Sequence, residues 1–249
     1  MTDFLTEIRQ THLSRASRHD LEQAITEYGR GLDYYRARIQ AIDFGGFPRV
    51  LDAACGWGQW SIVLSEVNKT VVAVDLNLGG LEISAKAAKY YGRNNIVFSA
   101  GDLHMLPYRD NAFEAVFCYG VLMYTREDVV LSELSRVLKP GGRLYICSNG
   151  PGWPLYKVLK IGLPRLDAHA MLGGIKILTN KIFHDMIPGK FSGKLTYLRK
   201  GDIIRLLTAN KLEILHYGAE SSYGNRDVPA LYGSFFGLPA DFEVIGKKR

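Results

Sequence analysis

Residues 50 to 60, Val-Leu-Asp-Ala-Ala-Cys-Gly-Trp-Gly-Gln-Trp, constrain the fold of this chain more than any other stretch. Val50 and Leu51 read as a buried strand, Gly56 and Gly58 punctuate a turn, and the residues after them open a helix. Glycine at those two positions lets the backbone approach a bound molecule where a Cβ would clash. The head of the helix adds free N–H groups and a partial positive charge, so such a turn suits a small ligand. One ligand class is a dinucleotide, whose fingerprint needs a third glycine at position 61. Residue 61 is Ser, and that reading fails.

Fixed distances downstream decide between the remaining options. Val71 to Val74 is an apolar run of strand length ending in Asp75, and Asn95 to Ala100 is another, followed by Gly101 and Asp102. A carboxylate at the carboxyl end of a parallel strand can accept both hydroxyls of a ribose. Taken singly, each Asp is as well explained by a loop or a helix cap. Together with the glycine turn they resemble the class I S-adenosylmethionine (SAM) methyltransferases, whose first motif usually runs Asp-x-Gly-Cys-Gly-x-Gly. Asp52, Cys55, Gly56 and Gly58 match it, and Ala54 replaces the first glycine.

The resemblance implies SAM as cofactor and an α/β fold: a Rossmann-like seven-stranded mixed sheet, mostly parallel with the last strand antiparallel, and helices on both faces. It also implies a cofactor site built from Asp52, Ala54, Cys55, Gly56, Gly58, Asp75, Leu76, Asp102, Leu103 and Tyr119. In such a site Asp102 takes the adenine amino group and the Leu103 amide a ring nitrogen. Residues 113 to 119 look like strand four, with Glu114 where the family more often has Asp. Thr125 to Asp128 resembles a capping box, and Val130, Leu131, Leu134, Val137 and Leu138 then recur at helical spacing. Lys139-Pro140-Gly141-Gly142 predicts the end of that helix, and Arg143 to Ser148 predicts strand five. A helix ending near Ala209 and Asn210, strand six over 212 to 216 and a last strand over 242 to 245 complete the pattern.

A chain of 249 residues with 47% hydrophobic content is long enough for one α/β domain with insertions. We read residues 1 to 249 as a single domain: a helical cap of one or two helices over 1 to 49, a cofactor core over 50 to 148, a basic insertion over 149 to 200, and a C-terminal helix with the last two strands over 201 to 249. Cys55, Cys118 and Cys147 fall in or beside core strands without ligand spacing, which predicts reduced thiols, no metal site and a cytoplasmic protein. The first residues have no signal-peptide pattern, and no run reaches the ~18 apolar residues of a membrane span.

Charge is concentrated. Residues 151 to 200 carry nine Lys and Arg against Asp167 and Asp185, a net of +7 in a chain whose total is +6. The segment leaves strand five at the edge where the cofactor sits, so it starts over the active site. Met171, Ile175, Leu178, Ile182 and Met186 form a helical stripe within it, which we expect to pack on the core, although a lid over a greasy substrate and a peripheral membrane contact through 151 to 200 fit as well. Gly173 and Gly174 weaken that helix. A second enlargement, 217 to 240, holds Tyr217, Tyr223, Tyr232, Phe235 and Phe236, and the two together predict a roofed pocket. Tyr28, Tyr34, Tyr35 and Arg38 are expected to pack rather than bind.

Methyl transfer is an in-line displacement, so alignment and exclusion of water can suffice. If the acceptor is a hydroxyl, the candidates for its proton are His104, Tyr119 and Tyr124, then His169 and His184. The Asn/Asp-Pro-Pro-aromatic signature of base methylation is absent at Cys118-Tyr119-Gly120-Val121, which argues against a nucleic-acid partner. The sequence therefore predicts a SAM-dependent enzyme methylating O, N or C of a small or lipid-like molecule. An anionic or lipid-linked sugar or RNA as acceptor, and a protein that binds SAM or its product without transfer, are the competing readings.

Overall fold

The computed structural model describes residues 4–10, 13–186, 195–224, 230 and 234–249; Lys190, Lys194, Tyr232 and the side chain of His184 fall outside them. Strands β1 (Val50–Ala53), β2 (Val71–Asp75), β3 (Ile96–Ala100), β4 (Phe113–Tyr119), β5 (Leu138–Asn149), β6 (Leu212–Ala219) and β9 (Asp241–Lys248) form one sheet in the order β3-β2-β1-β4-β5-β9-β6. Its first five strands pair in parallel, and β9 pairs antiparallel with both β5 and β6. Strands β7 (Ser234–Phe235) and β8 (Leu238–Pro239) make a separate small hairpin. The expected Rossmann-like seven-stranded mixed sheet is the observed one.

Strand alternation sends side chains to two apolar layers. Leu51, Val72, Val116, Leu144 and Val244 face helices α6 (Glu127–Val137) and α10 (Lys200–Ala209), where Val130, Leu134, Ile203 and Leu207 are buried. Val50, Val71, Ala115, Tyr145 and Ile245 face the other layer. That layer holds α1 (Phe4–Gln10), α2 (Arg18–Gly29), α3 (Leu32–Ala41), α4 (Gln59–Val67) and α5 (Leu78–Tyr90). The N-terminal segment thus contributes three helices among the described residues, where the sequence predicts one or two.

Two local expectations are corrected. No capping box forms at Thr125, whose hydroxyl donates to Leu122 O at 3.1 Å, and the cap residue Arg126 has no side-chain cap bond. Helix α6 also runs directly into β5 at Leu138, so Lys139 to Gly142 lie inside the strand. A register irregularity between Phe113 and Ala115 absorbs them, with Gly141 at φ +75°.

The insertion after β5 folds as α7 (Trp153–Tyr156), a π-helical turn over Lys157–Gly162, α8 (Leu163–Arg165) and α9 (Ala168–Met186). The two glycines that weaken α9 by propensity bring it close to α7. A Cβ on Gly174 would lie 2.5 Å from Val158 Cγ2 and 2.8 Å from Pro154 O. The buried residues of α9 are Ala170, Gly174, Ile177, Asn180 and Lys181, not the expected stripe. Ile175, Ile182 and Met186 are exposed. Lys181 is paired with Asp185 (3.0 Å) and Asp202 (3.2 Å), which removes one of the insertion's cations from the surface.

Helix α3 is fastened to the sheet by a buried ion pair. Arg38 Nη2 donates to Glu243 Oε2 at 2.7 Å and to Tyr145 Oη at 3.0 Å, and its Nη1 donates to Ser221 Oγ at 2.7 Å. Both charged side chains are almost completely buried. Glu243 Oε1 also accepts from the Tyr223 N–H at 2.8 Å, so one carboxylate joins α3, β9 and the turn after β6. Replacing Arg38 alone with Leu leaves that carboxylate buried and uncompensated, and should cost about 3–5 kcal/mol in chemical denaturation. Replacing Arg38 and Glu243 together with Leu should cost less than the single change; equal losses would mean the pair does not act as a unit.

Candidate functional site

The carboxyl edge of the sheet carries a cavity of about 410 Å³. Ala54, Cys55 and Gly56 after β1, Asp75 at the end of β2, Tyr119 at the end of β4, and Asn149 at the end of β5 all line it. Strand β9 runs the other way, so its first residue, Asp241, reaches the same edge opposite Asn149 and lines the cavity too.

The turn after β1 is held by backbone geometry. Ala54, Gly56 and Gly58 have φ of +62°, +55° and +88°. Glycine is strain-free there, and Ala54 pays for the left-handed region with roughly 1–3 kcal/mol of strain. A Cβ on Gly58 would meet Ser84 Oγ at 2.7 Å, so this glycine seats the turn on α5. A Cβ on Gly56 would meet nothing within 4 Å, and Gly56 lines the cavity; the space left by its missing side chain belongs to the cavity. Gln59, at the head of α4, leaves its buried Oε1 without a hydrogen-bond partner. A backbone cradle with an unfilled acceptor fits a small polar ligand such as SAM.

Asp75 is aimed by two amides: the Gly56 N–H donates to Oδ2 at 2.8 Å and the Asn77 N–H to Oδ1 at 2.8 Å. Each oxygen keeps a further lone pair, as two ribose hydroxyls require. Asp52 lies beneath the turn and does not line the cavity. Burial pushes its carboxyl up to about 7, the negative charge of Asp75 adds to the effect, and the Ser61 hydroxyl, donating to Oδ2 at 2.6 Å, opposes it. The residue that breaks the dinucleotide fingerprint is therefore a partner of Asp52. Burial likewise pushes up the thiols of Cys55, Cys118 and Cys147.

Other sequence-predicted residues fall outside the cavity lining. Asp102 Oδ1 accepts from the His104 N–H at 2.9 Å and meets its Nδ1 at 2.6 Å, contacts that hold the carboxyl below its usual range. The Arg126 N–H donates to His104 Nε2 at 3.1 Å. Both ring nitrogens of His104 are thus engaged in fastening the loop after β3 to α6, with Nδ1 carrying the proton. Leu103 is buried, and Leu76 is exposed beside Asp75. His169 is exposed on α9. The two predicted tyrosines do line the cavity. Tyr119 Oη donates to Glu220 Oε1 at 2.5 Å, and burial raises its phenol well above the ordinary range; Tyr124 is half exposed at the rim.

Several lining residues escaped the sequence reading. Glu27 on α2 and Arg30 at its C-terminal cap form an ion pair and bring the N-terminal cap into the cavity wall, with no sequence signal to mark them. Trp60 follows the glycine turn directly and is visible by adjacency. Asn149 and Asp241 could have been found from topology, because an antiparallel last strand must begin at the carboxyl edge. Trp153 and Lys157 come from the insertion, which the sequence expects to begin over the active site.

A methyltransferase domain family matches residues 51–146. A demethylmenaquinone methyltransferase of Thermobifida fusca (strain YX) is 36% identical over 158 residues, covering 61% of this chain and 67% of that relative. The chain spans between 54% and 67% of the length of the relatives of that name, among them those of Streptomyces avermitilis and Mycobacterium tuberculosis. Among solved structures, a putative methyltransferase of Bacillus halodurans superimposes with a TM-score of 0.59 at 18% identity, over 88% of this chain and 99% of that one. Geranyl diphosphate C-methyltransferase of Streptomyces coelicolor gives 0.60 at 15% identity, over 95% and 85%. At those identities the two structures speak for the fold alone.

Two outcomes test the site. Asp75→Ala should weaken SAM binding, measured by calorimetry, by roughly 1–3 kcal/mol while the melting temperature holds, because two ribose hydroxyls lose their acceptor; unchanged affinity would remove Asp75 from the site. Asp52→Asn bears on stability against pH. The Asp52 pKa rises from 3.8 in the open chain to about 7 in the fold, so the folded state holds a proton that the unfolded state has released. Stability from this group is complete below about pH 4 and is lost as pH rises toward and through 7, with a slope of at most about 1.4 kcal/mol per pH unit. The Asn variant should flatten that segment of a denaturation series from pH 4 to 8, and an identical slope in both proteins would rule the assignment out.

Proposed function

The chain belongs to the class I SAM-dependent methyltransferases, and from that premise we propose that it methylates a quinol-like, hydroxyl-bearing lipid drawn from the surface of an anionic membrane. SAM supplies an electrophilic methyl group on a sulfonium. The protein's part is to hold that group in line with the acceptor and to keep water out. The continuity of the cavity carries the reading: one space runs from the glycine turn and Asp75, past Tyr119, to Asn149, Asp241, Trp153 and Lys157. Donor and acceptor ends share it. The relatives named demethylmenaquinone methyltransferase support a quinone-related, lipid-like substrate for this chain as well.

The outer face of the insertion supports the membrane part. Leu159, Leu163, Leu166, Leu172, Ile175, Ile182, Phe183 and Met186 are all exposed, Leu166 to 85%. Phe236 of the β7–β8 turn is exposed too, and its neighbour Phe235 packs edge-on to Tyr156 of α7 at 5.9 Å. Scattered single apolar residues need no explanation, but a group confined to one short segment does. Lys160, Arg165 and Lys176 are exposed among them, whereas Asp167 caps α9 and Asp185 is paired with Lys181 and Arg199. Apolar side chains with interspersed cations are the composition of a surface that lies in a bilayer interface. No helix among the described residues is long and apolar enough to cross a membrane. The acceptor would enter past Trp153 and Lys157 without leaving the lipid.

Sedimentation with vesicles of phosphatidylcholine containing roughly a third phosphatidylglycerol tests this. The wild type should co-sediment, and Leu166→Ser/Leu172→Ser/Phe236→Ser should bind at least about tenfold more weakly. Lys160→Gln/Arg165→Gln/Lys176→Gln should lose most of the dependence on anionic lipid and on salt, since each cation contributes about 1 kcal/mol near such a surface. Equal binding by all three proteins would reject the membrane face. Turnover of short-chain demethylmenaquinol with SAM, read as S-adenosylhomocysteine released and one methyl gained, tests the acceptor separately.

A further inference from the structure

Three carboxylates line the cavity, and two are accounted for: Asp75 is held by the Gly56 and Asn77 amides, and Glu27 is paired with Arg30. The third, Asp241, has no ion-pair partner among the described residues. It is only 6% exposed, at the end of the cavity away from Asp75. Its neighbours are polar and oriented. With the Asn149 amide set so that both ends are satisfied, Nδ2 donates to Asp241 Oδ1 at 3.0 Å and the amide oxygen accepts from Trp153 Nε1 at 3.0 Å. The Glu220 N–H donates to Asp241 O at 2.9 Å, bringing a second buried acid alongside, and Tyr119 donates to that acid's carboxylate.

We infer that Asp241 is the general base of the methyl transfer, taking the proton of the acceptor hydroxyl, with Glu220 and Asn149 as its positioning residues. The inference rests on the methyltransferase reading of the cavity and adds a catalytic residue to it. The acceptor O–H bond breaks and its proton passes to the Asp241 carboxylate. The electron pair left on oxygen, directly or relayed through an aromatic ring to its carbon, forms the new bond to the methyl carbon. The C–S bond breaks and its electron pair stays on sulfur, giving neutral S-adenosylhomocysteine. Where ring carbon is the nucleophile, its own C–H proton then passes to water and the ring oxygen takes a proton back from water, restoring the aromatic quinol. Asp241 returns its proton to water once the product has gone.

Electrostatics around Asp241 suit the role. The groups facing it are Glu220 after β6, Tyr119 on β4, Cys147 and Asn149 on β5, Trp153 and Lys157 at the mouth, and Glu243 further along β9, whose charge is matched by Arg38. Burial, with the charge of Glu220 adding to it, pushes its carboxyl up to about 8. A base with that affinity is strong enough to accept a phenolic proton, and it is ionised only at the upper end of the physiological range.

The test uses the full chain with SAM and short-chain demethylmenaquinol. Wild-type kcat should rise with pH through an inflection near pH 8. Asp241→Asn should lower kcat by about 100-fold or more, lose that inflection, and keep SAM affinity within about twofold by calorimetry. Glu220→Gln should retain activity at high pH and move the inflection to lower pH, a shift that a purely structural role would not produce. An Asp241→Asn protein with the wild-type pH profile overturns the base while leaving the methyltransferase reading intact; absence of SAM binding to the wild type overturns that reading itself. If the quinol is not turned over, infrared titration of the S-adenosylhomocysteine complex decides. A protonated-carboxyl band, absent from Asp241→Asn and lost as pH rises past about 8, supports the assignment. A carboxyl already ionised at pH 6 rejects it.

Discussion

The placement of β9, antiparallel between β5 and β6, is the constraint on which the arrangement of this site depends. In a sheet of parallel strands every carboxyl end opens on one edge, and every amino end on the other. One reversed strand brings an amino end to the carboxyl edge. Asp241 therefore stands opposite Asn149 in register, beside residues that close β4 and β6, although it is distant from all of them in sequence. The same strand carries Glu243 two residues on, and through Arg38 it anchors the helix that follows α2, the source of Glu27 and Arg30 in the cavity wall. A single topological choice thus sets both an acid in the cavity and the attachment of its N-terminal side.

The two ends of the cavity are made of different materials. The donor end is largely backbone: a left-handed turn at Ala54, Gly56 and Gly58, amides aiming Asp75, and the head of α4. Backbone geometry of this kind needs particular residue types at fixed spacing, which is why the sequence displays it. The acceptor end is built from side chains on separate elements, Tyr119, Asn149, Trp153 and Asp241, and any of them is unremarkable alone. Hence the cofactor could be read from residues 50 to 102, while a base could not.

Particular residues show where that legibility stopped. His104 attracted attention because it follows the Asp102 turn, yet its ring is a strut between Asp102 and the Arg126 amide. A histidine next to a functional turn is more readily used to stiffen it than to do chemistry, and composition cannot tell the two apart. The helical stripe of the insertion was expected to pack inward, because helices generally bury their apolar side. Gly174 shifts that logic: lacking a side chain, it lets α9 press against Pro154 and Val158, so the face that carries Gly174 and Ile177 is the buried one and Ile175, Ile182 and Met186 are left outside. Close approach at a glycine chose the buried face, and sequence periodicity of large apolar residues does not register it.

An apolar outer face and a cavity mouth on the same insertion also address a difficulty that any enzyme acting on a membrane lipid faces. Pulling a prenylated molecule into water exposes apolar surface at about 25 cal/mol per Å², which a soluble pocket would have to recover entirely by burial. If α8 and α9 rest in the lipid interface, the tail stays in the bilayer and only the polar head must enter. The cavity then needs to be no larger than a ring and the reactive end of SAM, and its acceptor end can be polar. Its lining is mixed: Asp241, Asn149 and Tyr119 supply polar groups beside Val121, Met123 and Leu195, while the large apolar side chains of α8 and α9 are turned outward. Substrate selection by such a site would lie in the head group, where Asn149 and Asp241 are, and tail length would matter little.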